Sequence, residues 1–109
     1  VVREVTKKQV QKLCELWRRR LGLLDWSVTI VLDKDLPTAG LAEWDVNYTA
    51  RISLLPSTKL VMERVLVHEL VHLVMYRWTK PSRDVEATVE HMTAAFLQAY
   101  RRRSKNVLL

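Results

Sequence analysis

Cysteine is almost absent from this sequence. Cys14 stands alone among 109 residues, so no disulfide can form within the chain and nothing calls for an oxidising compartment. Its expected place on the apolar face of a first helix makes it a buried, inert thiol rather than a nucleophile. Glycine and proline are nearly as scarce, at two and three, which excludes long flexible linkers. No apolar run approaches the ~18 residues needed to cross a bilayer. The first residues are charged and lack the apolar stretch and small-residue cleavage site of a signal peptide, so the expectation is a cytoplasmic protein without membrane contact. Of all residues 49% are apolar, enough for one modest core, and a single domain over 1–109 is expected.

Acidic residues are the minority among the charges, which leaves a net charge of +6. The excess gathers at Arg18 to Arg20 and at Arg101 to Arg103, with Lys105 beyond. Both clusters fall at the C-terminal ends of expected helices, where unpaired carbonyls and the helix dipole favour cations. The same clusters would attract phosphates irrespective of sequence, so nucleic-acid contact is a second reading.

Thr6 and Gln9 have the spacing of a capping box, and Val10, Leu13, Trp17 and Leu21 recur at helical intervals before Gly22, predicting a helix near 7–21. Trp26, Val28, Ile30 and Leu32 alternate with polar residues as in a half-buried strand. Asp35, Pro37 and Gly40 mark a loop. Residues 40–46 and 48–55 read as two further strands joined near Asp45 and Asn47. After Pro56, Ser57 or Thr58 can cap a helix running to about Trp78. Lys80 and Pro81 break it, and Ser82 can cap a last helix to about Arg103. The fold class expected is α+β: an N-terminal helix, a small three-stranded, mainly antiparallel sheet, then two helices.

The segment Val65 to Tyr76 is apolar on every side of a helix except at His68, Glu69 and His72. Such a helix belongs in a core, where two imidazoles and a carboxylate cost several kcal/mol unless each finds a partner. Residues four apart sit above one another, so both imidazoles can reach a single ion. One zinc ion suits them, since it takes neutral imidazole nitrogens, tolerates a carboxylate as third ligand and leaves a position open for water. In the His-Glu-x-x-His pattern the glutamate contacts the water and not the metal, which makes Glu69 the candidate general base. Two alternatives stand beside this one: core histidines satisfied by backbone carbonyls, and a closed structural zinc site. The first makes the placement of Glu69 a coincidence; the second lacks further cysteines and leaves Glu69 without a role.

Candidates for the third ligand lie on the last helix. At ~100° per residue Glu86 and Glu90 share a face, about 40° apart, whereas His91 is about 140° from Glu86 and would need a rotated helix. An antiparallel hairpin turning about Lys80 and Pro81 would set the level of Leu70 opposite residue 91, which favours Glu90.

The helix His68-Glu69-Leu70-Val71-His72 resembles the active-site helix of the zincin metallopeptidases, and Glu86-Ala87-Thr88-Val89-Glu90 resembles the glutamate helix of their gluzincin clan. The order of elements and the chain length resemble the minigluzincins, and the resemblance that carries the motifs covers about residues 50–97. Thr38-Ala39-Gly40 and Ala50-Arg51-Ile52 also resemble strands of small zinc peptidases of other families. The resemblance implies that Glu86 is the third zinc ligand and that Glu90 orients His68. It further implies a strand of the 40–55 hairpin that pairs with an extended peptide or protein substrate. The interval from His72 to Glu86 is short beside the large gluzincins, so their substrate pockets do not transfer.

These features lead to the expectation of a zinc-dependent endopeptidase. Zinc would bring the pKa of its water from ~15.7 to about 7, and Glu69 would take the proton as water attacks the scissile carbonyl and pass it to the amine. Tyr48, Tyr76 and His91 are nominal partners for the oxyanion, with structural roles the simpler account. The alternatives are a catalytically weak or inactive zincin-fold module that binds nucleic acid or a protein through its basic helix ends, and an amidase-like hydrolase acting on a small substrate. The apolar tail Val107, Leu108 and Leu109 could dock on the body, and autoinhibition by residues 104–109 is open. Oligomeric state is not legible.

Overall fold

A computed structural model describes residues 5–76 and 83–107. Helix α1 spans Lys7–Arg20 and opens on the expected capping box: Thr6 accepts from the Gln9 backbone N–H, and the Gln9 side chain accepts from the Thr6 N–H. Gly22, at φ 72°, takes the left-handed conformation that lets the chain leave the helix. Strands β1 (Ser27–Leu32), β2 (Gly40–Trp44) and β3 (Thr49–Leu54) follow. The β2–β3 turn is held by Asp45, whose carboxylate accepts from the Asn47 and Thr49 N–H groups, with Tyr48 at φ 60°. Thr58 caps α2 (Lys59–Met75) through the Val61 N–H.

The last helix, α3, covers Arg83–Val107. It passes the end expected near Arg103, because no glycine or proline follows Pro81 to stop it. The break at Lys80 and Pro81, the cap at Ser82 and the tail side chains of Val107, Leu108 and Leu109 fall outside the described residues. Among the described residues no helix is long and apolar enough to cross a membrane.

The architecture is α+β with a three-stranded sheet in the order β1-β3-β2. One detail departs from the sequence expectation: the sheet is mixed rather than mainly antiparallel. β2 and β3 form the antiparallel hairpin, with Ala42 opposite Ile52, but β1 pairs with β3 in parallel, with Ile30 opposite Ile52. The long 33–39 connection allows β1 to skip its sequence neighbour and lie on the far side of β3. β2 is therefore an edge strand.

α2 is the hub, touching α1, α3, β2 and β3. That explains why apolar residues dominate its sequence: Met62, Leu66, Val67, Leu70, Val71 and Leu73 are all buried. Val10, Cys14 and Trp17 of α1 join the same core, as do Ala50, Ile52 and Leu54 from one face of β3. Each such side chain contributes about 1.5–3 kcal/mol on leaving water, so α2 is held in place by its surroundings more than by its caps. A second junction ties the helices together at their other end. Trp17 donates through Nε1 to Glu63 at 3.0 Å, packs edge-to-face on Tyr100, and lies under the Arg20 guanidinium.

Candidate metal centre

His68 and His72 sit one turn apart on α2, their ring centroids 5.1 Å apart. α3 packs along this face of α2 and presents Glu86 to both. Glu86 Oε1 is 2.7 Å from His72 Nε2, and Glu86 Oε2 is 3.2 Å from His68 Nε2. One ligand atom from each of the three residues lies within 4.8 Å of the others, a group that could hold a metal ion.

Hydrogen-bond chemistry sharpens the point. His68 Nδ1 is in close contact with Glu90 Oε1, and an ionised carboxylate only accepts, so Nδ1 carries a proton. In the neutral ring Nε2 then offers a lone pair. It points at the Glu86 carboxylate, which also offers lone pairs and lies 2.7 Å from His72 Nε2. Facing lone pairs need a proton or a metal ion between them. Ligand atoms on a tetrahedral ion with arms of ~2.0–2.1 Å stand about 3.3 Å apart. The two contacts of Glu86 with the rings, 2.7 and 3.2 Å, are shorter than this, and Glu86, with 59% of its side chain exposed, has room to move outward. The donor set could hold a metal ion.

Glu69 is treated differently by the fold. Its side chain is on the buried side of α2, with 7% of the residue exposed. Burial raises its carboxyl above the usual range; neighbouring His68 pulls it down and Glu86 pushes it up. Burial also lowers His72, against the pull of Glu86, which favours the neutral, ligating ring. For Glu90 burial acts upward but is outweighed by the hydrogen bond from His68 and by Arg64, so its carboxyl stays ionised below the ordinary range.

A cleft of about 210 Å³ opens beside the group, walled by Ala39 and Gly40 at the head of β2, by Arg64, Val65, His68 and Glu69 of α2, and by Glu90 of α3. A larger depression, about 520 Å³, lies between α1 and the start of α2 around Leu13, Leu16, Lys12 and Lys59. It contains no histidine, cysteine or carboxylate, so chemistry rather than volume points to the smaller one.

The remaining sequence candidates are placed elsewhere. His91 is exposed and outside the group. Tyr48 and Tyr76 each pack edge-to-face on Trp26, and Tyr76 also on Trp44. Sequence reasoning missed two residues. Arg64, whose guanidinium is 3.3 Å from Glu90 Oε2, sits four places before His68 and so on its face of the helix, a signal that was available. Gly40 entered as a loop marker and as the start of a strand, not as a neighbour of Glu69. A Cβ there would meet Val65 Cγ1 at 2.5 Å and Glu69 Cγ at 3.3 Å, a close approach that no local pattern announces.

Comparison with protein-family models, curated proteins and solved structures finds no match. The function of this group is therefore read from its own geometry.

Proposed function

We propose that this chain is a zinc-dependent metallopeptidase of the gluzincin type, with His68, His72 and Glu86 as ligands and Glu69 as general base. The observation that carries the reading is the single Glu86 carboxylate facing both histidine Nε2 atoms, with Glu69 buried in the adjoining cleft. Two imidazoles and one carboxylate suit zinc, whereas magnesium and calcium prefer oxygen-only sites. When bound, zinc supplies Lewis acidity, which brings a water to a pKa of about 7 and polarises a carbonyl.

The chain's own groups supply the rest. Glu69, with a raised pKa, accepts the proton of the attacking water and returns it to the leaving amine nitrogen. Glu90 holds the His68 ring through Nδ1, so that Nε2 faces the site. The exposed edge of β2, which begins at the cleft wall, offers main-chain hydrogen bonds to an extended peptide. A cytoplasmic setting belongs to the same reading.

The test is metal content and cleavage together. Elemental analysis of gently purified protein is expected to find about one zinc per chain, and an unfolded generic substrate such as reduced, alkylated casein to be cut. A chain that binds no zinc, or binds it and cuts nothing, overturns the proposal.

A second reading draws on one observation: the fold brings the two basic clusters together. The Arg20 guanidinium lies 4.3 Å from the Tyr100 ring centroid, next to Arg101. In this reading the chain is a module binding nucleic acid there. Two of the cations are already engaged, Arg18 by Glu15 and Arg101 by Glu63, which makes this surface the weaker candidate. DNA affinity falling steeply with salt, without cleavage, would favour it.

A further inference from the structure

We propose that Arg64 is a positioning residue: it determines which of the two carboxylates on α3 faces the histidine Nε2 atoms, by drawing Glu90 away from them and onto His68 Nδ1. The inference rests on the metal-centre reading above and adds to it a residue outside the motif.

Glu86 and Glu90 are one turn apart on the same face of α3, and about half or more of each side chain is exposed. Neither is confined by packing. Both are flexible carboxylates that reach the His68 ring, so sterics alone leaves open which of them faces its Nε2. What separates them is the partner of each oxygen. Both Glu86 oxygens face histidine Nε2 atoms. Both Glu90 oxygens are used differently: Oε1 on His68 Nδ1, the ring edge that faces away from the site, and Oε2 on the Arg64 guanidinium at 3.3 Å.

The helix pair makes this division possible. Glu86 lies across from His72, while Glu90 lies across from His68 and Arg64, so the two helices run in opposite directions and Arg64 is one turn farther from His72 than His68 is. A cation at that level pulls the Glu90 carboxylate along α2, away from the ligand atoms. With one oxygen fixed, the other is presented to Nδ1 in a single orientation. A carboxylate held at both oxygens loses the rotation that would let it compete for the ion. An uncharged side chain at position 64 would leave Glu90 tethered at one point only. Arg64 also borders the cleft beside Gly40 and Glu69, but its guanidinium is directed at Glu90, so its work is on the ligand set and not on the reacting atoms.

The test compares Arg64→Met, Arg64→Lys, Glu90→Gln and the Arg64→Met/Glu90→Gln double variant. Arg64 is largely exposed at its side chain, so folding is expected to be retained, and melting temperatures check this. Zinc affinity is measured by chelator competition. Arg64→Met is expected to weaken it about tenfold, as loss of a partner behind a ligand does, and Arg64→Lys to recover part of that loss. In the Glu90→Gln background the Arg64→Met change is expected to have no further effect. Equal affinity in Arg64→Met and the parent, or an equal loss in both backgrounds, overturns the proposal.

A second measurement does not depend on metal. In the metal-free parent, the His68 ring nitrogens are expected to show one tautomer in nitrogen-15 NMR spectra, with the Nδ1 proton protected. In Arg64→Met the signal is expected to broaden or shift, and in Arg64→Lys to return. An unchanged His68 signal in Arg64→Met overturns the positioning role even if the parent binds no zinc at all. Absence of zinc with the NMR effect intact overturns only the metal reading.

Discussion

Gly40 lies against Glu69 so closely that a Cβ added to the glycine would stand 3.3 Å from Glu69 Cγ and 2.5 Å from Cγ1 of Val65. The head of an edge strand thus forms the roof over the candidate base. Val65 is β-branched and stiff at χ1, so it cannot yield as a long side chain would. Gly40→Ala is expected to cost about 1–3 kcal/mol through overpacking and to reduce turnover by displacing Glu69. Val65→Ala in the same chain should restore part of both. Thermal melts and peptide cleavage of the single and double variants decide; an unaffected Gly40→Ala protein would refute the close approach.

Glu69→Gln keeps the volume of the side chain and removes the base. Fold and zinc content are expected to persist while hydrolysis falls by about 10²–10⁴-fold. Turnover near the parent level would remove Glu69 from the mechanism.

The two glutamates of α3 make unequal contacts, and their variants should differ accordingly. Glu86→Ala takes a carboxylate from the convergence of Nε2 atoms and is expected to abolish zinc binding at micromolar metal. Glu90→Ala leaves that convergence in place and should weaken binding by about 10–100-fold. In the parent, a chelator is expected to lower the melting temperature, since a ligand at about 100 times its Kd stabilises the fold by roughly 2.7 kcal/mol. The reverse order of affinities would exchange the roles of Glu86 and Glu90.

Burial pushes the Cys14 thiol up to about 11 from its ordinary value of 9.0, with Glu15 adding to the rise and Arg18 opposing it. The folded chain therefore binds this proton more tightly than the unfolded chain does. That contribution to stability is complete below the unfolded pKa and is lost as pH climbs from about 9 to 11. The urea midpoint should fall across that window in the parent and less in Cys14→Ala. Native protein at pH 8 should be inert to a thiol reagent until denatured.

The parts of the molecule governed by local chemistry were open to reading from the sequence. Thr6 and Gln9 announced the start of α1, Thr58 that of α2, and the four-residue spacing set His68 and His72 on one face. Contacts between distant segments were not. Nothing local says that β1 pairs with β3 instead of β2, because either edge would bury Ile30. Nor does a sequence give the level at which two helices face each other. A turn centred on Lys80 and Pro81 sets Leu70 opposite His91. The observed partners, His72 with Glu86 and His68 with Glu90, set it nearer Thr88. A slip of less than one turn decides which carboxylate meets the rings. Gly40 was obscure for the same reason, since its contact with Glu69 crosses from sheet to helix.

The central strand of the sheet is the last of the three in the chain, and this orders assembly. β1 and β2 have no partner in common until residues 49–54 follow, and whereas β2 meets β3 through a tight hairpin, β1 must pair with β3 across the whole of β2, which is the slower step. The cleft wall at Gly40 comes into register only through β3. Partial sheets therefore have no finished site, and opening the sheet dismantles the wall over Glu69 in the same event. Amide exchange at Leu41 and Glu43, whose N–H groups face β3, would proceed at the rate of opening of the sheet as a whole.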